Sequence, residues 1–511
     1  MKLEEMLCSA GVITRQQTKQ AQELADTQGG RPVDHLVELG FLSRERLETV
    51  EQAVPTAPKS VAESEVSEAE LLNLLLKIML TRALETPGRL SEAIKLPMGL
   101  TSTLLQTAVD RKLVEILGRG SGDSALELRH QLSALGRERA AAALEINQYN
   151  GPAPVSLEAY SSRIERQRII QERVSRDRID VAFEDLVVED SFIHGLGPAV
   201  NSGRAILLYG PAGNGKTTVA EKVAAIFSDI VYIPYALEVQ GQIIKIFDPS
   251  LHESVEADED NLGRSVLKKA GHDRRWVACK RPVVITGGEL NLEMLDLTYS
   301  VEAGFYEAPL HMKAFNGTFI IDDFGRQLIS PERLLNRWIV PLQSRVDYLK
   351  LHTGKAFQVP FDELVIFSTN LDPKDLMDPA FLRRIPYKLA TPGPSEDAFR
   401  AIFEHVAGKE GMTLPDEVHR FVVDELTVRR GVELACYQPK FIVDQVVAAC
   451  KFDGREAAMD SDTVAQAISN LYVGLDGAQE GAAARQNRAP DGQAKAQADD
   501  VWNEARQQLR N

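Results

Sequence analysis

Residues 210 to 217 read Gly-Pro-Ala-Gly-Asn-Gly-Lys-Thr and fit the spacing G-x-x-x-x-G-K-[ST] at every fixed position. Each residue type in this pattern has a chemical reason. Glycines let backbone N–H groups close around phosphate oxygens with no Cβ in the way. A helix starting at the lysine adds the partial positive charge of its N-terminus. Lys216 has the reach for the β- and γ-phosphates, and Thr217 offers a hydroxyl to Mg²⁺. The candidate ATP-binding set is therefore Gly210, Pro211, Ala212, Gly213, Asn214, Gly215, Lys216, Thr217 and Thr218. The competing reading is a glycine-rich turn that matches by chance. The flanks argue against it: residues 205–209 are an apolar strand-like run, and residues 218–227 have helical periodicity.

A second polar cluster follows downstream. Residues 317–321 are apolar and lead into Asp322 and Asp323, which is where a strand delivers acids to a metal. Asp322 is the candidate Mg²⁺ holder and Asp323 the candidate base for the attacking water. A further apolar run, residues 364–369, ends at Asn370. Then come Arg383 and Arg384. Apolar strand-like runs alternating with helical segments from about residue 181 predict an α/β fold, a parallel sheet with helices on both faces.

Together these segments resemble the AAA+ ATPases over about residues 181–475, with a nucleotide-binding domain at 181–394 and a small helical lid at 395–475. The resemblance implies that Asn370 is the sensor that orients water near the γ-phosphate. It implies that Arg383 and Arg384 form the arginine-finger segment, which reaches the nucleotide of a neighbouring subunit and stabilises developing charge. It also implies a homo-oligomeric ring. Residues 437–441 resemble the second sensor segment, with Lys440 in place of the usual arginine. Lysine supplies a point charge and no bidentate fork, so Arg429 or Arg430 stands as the alternative. Asp323 departs from the family pattern, in which the second acid is a glutamate. One methylene less shortens its reach to the water and predicts slow hydrolysis. A long insertion is expected between the phosphate-loop helix and the Asp322 strand, containing strands at 241–247 and 282–286 and a charged loop at 253–260. Tyr306 within it is read as a core residue, with a substrate-gripping pore position as the alternative.

The elements ahead of this motor must choose its partner. Residues 1–52 hold an internal repeat, residues 7–15 aligning with 36–44. In each copy a helical segment ends at a glycine (Gly11, Gly40) and Thr14 or Ser43 caps the next. This repeat resembles the N-terminal domain of type II secretion and type IV pilus ATPases, some of which bind cyclic di-GMP. Here only Lys2 and Arg31 keep the basic positions. Glu4 and Val33 replace glycines, which favours a structural docking domain over the second messenger. Residues 53–67 read as a linker. Residues 68–146 read as helices followed by a hairpin (113–117, 125–129) and a closing helix, resembling winged-helix domains. The third helix carries Thr101, Ser102, Thr103 and Gln106, with basic residues only at Arg111 and Lys112, so protein docking is expected ahead of DNA binding. A connector at 147–180 contains an arginine-rich stretch, 163–178, read as a solvated helix with internal ion pairs. The tail 476–511 reads as disordered with a short terminal helix.

The 511 residues carry a net charge of −16, unlike a general nucleic-acid binder. Four scattered cysteines without C-x-x-C spacing point away from a disulfide frame or zinc site. The absence of a long apolar run or a signal-peptide pattern predicts a cytoplasmic protein with no membrane span. The expected function is Mg²⁺-dependent ATP hydrolysis that remodels or regulates a protein partner, in a bacterial secretion, pilus or signalling system. The alternatives are an ATP-dependent switch or a DNA-binding regulator with slow hydrolysis.

Overall fold

Five short runs of this chain are rich in apolar residues; the three central ones are buried along almost their whole length, a pattern that suits strands covered on both faces, and the two edge ones alternate. They form the central sheet: β1 (Ile206–Tyr209), β2 (Val283–Thr286), β3 (Thr318–Ile321), β4 (Leu364–Thr369) and β5 (Tyr387–Ala390). All neighbouring pairs are parallel, in the order β5-β1-β4-β3-β2. The structure is a computed structural model that describes residues 4, 7–8, 13–44, 47, 54–119, 128–255 and 272–472. It divides into two compact units, residues 1–392 and 393–511.

Alternation along the strands builds two cores. Leu207, Val284, Phe319, Ile321, Val365 and Phe367 pack on one face with Leu334, Leu335 and Trp338 of the Pro331–Ser344 helix. Ile206, Leu208, Ile320, Leu364 and Ile366 pack on the other with Val219 and Val223 of the Lys216–Ala225 helix and Leu196 and Val200 of the Asp190–Ser202 helix. Parallel register brings Tyr209, Thr286, Ile321, Thr369 and Ala390 to one end of the sheet. Ligands of open α/β sheets bind outside that end.

The segment expected as an insertion is divided among three sheets, one of them the antiparallel pair Ile230–Pro234 and Trp276–Lys280. The Val283–Thr286 run is the edge strand of the central sheet, aligned residue for residue with Thr318–Ile321. Its buried Val284 and Thr286 fit that place. The Gln242–Lys245 strand instead joins a mixed second sheet with strands 298–300, 305–307, 236–239 and 155–156. Tyr306 is buried in this sheet, and its hydroxyl meets His352. The charged loop 253–260 lies mostly outside the described residues.

The arginine-rich connector is not one solvated helix. A helix at Leu157–Arg166, a 3₁₀ turn at Ile169–Gln171 and a helix at Arg176–Ala182 replace it. The break has a physical cause, because its polar side chains are used below the sheet. Glu172, whose side chain is fully buried, pairs with Arg281 at 2.9 Å and Arg178 at 2.7 Å and accepts from the Ser228 N–H. Gln167 bonds Asn316 and Tyr232, and Asp362 accepts from Asn316 and the Ile169 N–H. These partners stand just before β2, β3 and β4. The connector therefore laces the sheet end opposite Tyr209.

Ahead of it, Ser67 caps the Glu68–Arg82 helix, which packs with helices Pro87–Ile94, Met98–Asp110 and Ala134–Ile146 around Leu71, Leu75, Leu90, Leu104 and Leu105. Val114–Arg119 and Leu128–Leu132 form the hairpin, whose turn lies outside the described residues. In the N-terminal repeat Thr14 closes a capping box on the Arg15–Gln28 helix. Val33 is buried there and Arg31 is bidentate to Asp34, so both are committed within the repeat. Lys2 and the tail 476–511 lie outside the described residues. The second unit packs helices Glu396–Lys409, Asp416–Asp424, Tyr437–Phe452 and Ser461–Leu471 around Phe399, Phe403, Val422, Leu426, Ile442 and Ile468. No described helix is long and apolar enough to cross a membrane.

Candidate nucleotide site

β1 ends at Tyr209 and the chain turns at once through three glycines with positive φ: Gly210 (149°), Gly213 (81°) and Gly215 (75°). Gly210 is also crowded, since a Cβ there would fall inside the contact distance of the Thr391 carbonyl oxygen. Thr391 follows β5 and is fixed there by donating its N–H to the Tyr209 carbonyl at 2.8 Å. Gly215 caps the Lys216–Ala225 helix in the left-handed conformation. Among the described residues, the N–H groups of Gly213, Gly215, Lys216 and Thr217 have no protein acceptor. Adjacent donors at the start of a helix are the arrangement that anions occupy.

Lys216 is buried, and its ammonium donates to the Gly210 and Pro211 carbonyls at 2.9 and 2.8 Å. Burial pulls its pKa down against the opposing pull of Asp322 and Asp323. Binding an anion beside it would offset that cost by favouring the charged ammonium. Thr217 Oγ1 donates to Asp322 Oδ2 at 2.6 Å. A hydroxyl and a carboxylate in contact are hard oxygen donors of the kind that suit Mg²⁺, which keeps most of its other positions for water and phosphate. The residues present therefore fit the ion.

Asp323 is exposed and sits at φ 48°, a left-handed conformation that aspartate tolerates better than most side chains. Its own N–H donates to Asp322 Oδ1 at 3.0 Å. Asn370 Nδ2 donates to Asp323 Oδ1 at 3.0 Å across the gap between β3 and β4. Lys216, Thr217, Asp322, Asp323 and Asn370 thus form one cluster at the C-terminal end of three adjacent strands.

Other expected residues stand apart from it. Arg383 follows the short Pro379–Leu382 helix, is exposed, and makes no side-chain hydrogen bond or ion pair among the described residues. Arg384 Nε donates to Gln343 Oε1 at 3.4 Å. Thr218 lies in the first turn of the loop helix. Lys440 lies in the second unit, exposed and paired with Asp444 at 2.9 Å, which raises its pKa. Arg429 and Arg430 pair with Glu425, and Arg430 also lies over the Tyr472 ring.

Sequence reading missed Gln327. Its amide donates to the Gly287, Asp322 and Asp323 carbonyls and its oxygen accepts from the Gly325 N–H. It staples the loop that carries both acids. No periodicity or motif marks it, because its partners are backbone groups supplied by the fold. Thr369, which donates to the Phe324 carbonyl at 2.7 Å, does the same from β4.

A family model described as Domain of unknown function (DUF8689) matches residues 395–470, within the helical second unit. A comparison with curated proteins returns no match. Among solved structures, the chain is similar to NtrX from Brucella abortus in complex with ADP, at 12% identity, covering 73% of this chain and 71% of that one, with a TM-score of 0.36. It is also similar to the RuvB Holliday junction branch migration motor of Thermotoga maritima, at 15% identity, covering 56% and 70%, with a TM-score of 0.31. At these identities and TM-scores the geometry of the site itself carries the functional argument.

Proposed function

We propose that this chain is a Mg²⁺-dependent ATPase of the AAA+ type that works as a homo-oligomer on a protein partner. The observation that carries the reading is the meeting of the loop Thr217 with Asp322, and of Asn370 with Asp323, at one sheet end beside a glycine-rich cradle of unpaired N–H groups. The cradle and Lys216 hold the phosphates. Thr217 and Asp322 hold Mg²⁺, which would neutralise phosphate charge. Asn370 fixes the carboxylate of Asp323, which accepts the proton of the attacking water. Arg383, exposed and without a side-chain partner among the described residues, is the finger offered to a neighbouring subunit. Arg384 serves as a secondary support. The Lys216→Ala variant is expected to lose ATP binding, read by fluorescent-nucleotide titration. Asp322→Asn is expected to keep ATP binding while losing its Mg²⁺ dependence. Tight ATP binding by Lys216→Ala would contradict the site.

A switch that hydrolyses slowly is the second reading. It is favoured by the short Asp323 side chain, held in a left-handed turn and tied to Asn370. A DNA-binding regulator finds less support. Arg111 at the end of the third helix is paired with Glu68, and Arg129 of the hairpin with Glu85, which leaves Lys112 at that helix end without an ion pair among the described residues, thin cover for phosphate contacts. Partner choice by the N-terminal repeat and helical region remains part of the proposal, as does a cytoplasmic location.

A further inference from the structure

A cavity lined by none of the phosphate-loop residues lies elsewhere in the first unit. It has a volume of about 130 Å³ and opens between the Glu68–Arg82 helix, the end of the Ala134–Ile146 helix and the turn at Gly241 in the second sheet. That is close to the size of an engineered apolar cavity that holds benzene, so a small organic molecule fits. Its inner wall carries Lys77, which is buried.

A buried lysine normally faces a carboxylate. Lys77 has none within ion-pair distance among the described residues. Its ammonium donates to the Asn147 carbonyl at 3.2 Å and to Asn147 Oδ1 at 2.6 Å. An ammonium has three N–H donors, so one remains. Burial without a countercharge lowers its pKa to about 8.

The rest of the wall sorts by position. Asn73 lies one turn before Lys77 on the same helix face. Its oxygen accepts from Arg139 Nε at 3.0 Å, which orients the side chain and leaves the amide N–H₂ without a protein acceptor among the described residues. Leu74, Ile146, Tyr149 and Ile243 supply apolar surface. Glu70 lies a further turn away at the mouth, beside Gly241. Glu238, from the neighbouring strand, accepts from the Gly241 N–H at 2.6 Å, which places a second carboxyl group next to the turn at the mouth. The cavity thus has two donors and an uncompensated positive charge at its inner end, an apolar middle and an acidic rim.

We propose that this cavity is a binding site for a small organic acid with a single carboxylate. The carboxylate pairs with Lys77 and accepts from Asn73, and the apolar body lies along Leu74 and Ile243. Glu70 excludes a second negative charge at the far end. The helix that carries Lys77 and the strand that carries Ile243 belong to different layers of the first unit, so the ligand would cross-link them.

The test is calorimetric titration of the full chain with butyrate, with butyramide as its neutral counterpart and succinate as the dianion of equal chain length. Saturable butyrate binding is expected, with butyramide and succinate each weaker by about tenfold or more. Lys77→Met keeps the aliphatic stem and removes the charge, and is expected to abolish preference for butyrate over butyramide. At about pH 9 free Lys77 is mostly neutral, so butyrate binding to the unaltered protein should take up a proton, read from the dependence of heat on buffer ionisation. Affinity should fall about tenfold per pH unit above that of the free lysine. The proposal is overturned by absence of saturable butyrate binding, by equal binding of butyrate and butyramide, or by butyrate uptake without proton uptake. None of these outcomes depends on ATP turnover.

Discussion

On the proposed reading, Asp323 is the residue on which the rate of ATP hydrolysis turns. Its carboxylate is one methylene shorter than a glutamate, and Asn370 already claims one of its oxygens. Asn370→Ala frees that oxygen but removes the group that aims it, so turnover is expected to fall about 10²-fold, the usual scale for a misplaced base, with little change in ATP affinity. Stopped-assay turnover alongside equilibrium nucleotide binding checks this. Asp323→Glu is expected to raise turnover if reach is limiting, and an unchanged rate would point to another step. The loop motif, the acids and Asn370 could be read from sequence because each is a local pattern at a strand end. Gln327, Thr369 and Thr391 could not, since each acts through carbonyl or N–H groups that adjoin it only once strands are paired. The difference between Arg383 and Arg384 was likewise hidden, because Gln343, which engages Arg384, lies 41 residues away.

Elements decide whether those residues meet. The sheet order places β4, with Asn370, between the strands that carry the phosphate loop and the two acids, so a shift of β4 separates the whole cluster. The opposite sheet end is anchored by Glu172, enclosed by Arg281 and Arg178. Glu172→Ala strands the buried guanidinium of Arg281 and the partly buried one of Arg178 and is expected to cost about 3 kcal/mol, measured as a lowered urea midpoint. A near-neutral result would mean that the lacing is dispensable. Sequence pattern alone misread this connector as a solvated helix, because alternating arginine and glutamate looks the same whether its partners are water or distant strands. It also assigned the Val283–Thr286 run to an insertion, since spacing along the chain does not say which sheet a strand joins. A second anchor is acid-sensitive. Burial would raise the Asp347 pKa, but hydrogen bonds from His311 and Arg337 outweigh it and hold it at about 2, from an ordinary 3.8. A depressed carboxylate stabilises the fold above its unfolded pKa and loses that contribution as pH falls through the folded value. About 2 kcal/mol should therefore disappear between roughly pH 4 and pH 2, and Asp347→Asn should flatten that part of the stability profile.

For the whole molecule, the proposed catalytic set is divided between chains. One subunit supplies the cradle, Lys216, Thr217, Asp322, Asp323 and Asn370, and its neighbour supplies Arg383, which would make closure into a ring a condition of turnover. The helical second unit, with Lys440, Arg429 and Arg430, and the N-terminal elements would then transmit nucleotide state to a partner. The most direct test is steady-state ATP turnover against protein concentration, for the unaltered protein, for Arg383→Ala, and for mixtures of Arg383→Ala with Lys216→Ala. Specific activity is predicted to rise with concentration and saturate. Arg383→Ala is predicted to bind ATP without turning it over. Mixing the two inactive variants is predicted to restore activity, because each supplies what the other lacks. Specific activity independent of concentration, with Arg383→Ala fully active, would contradict a shared site.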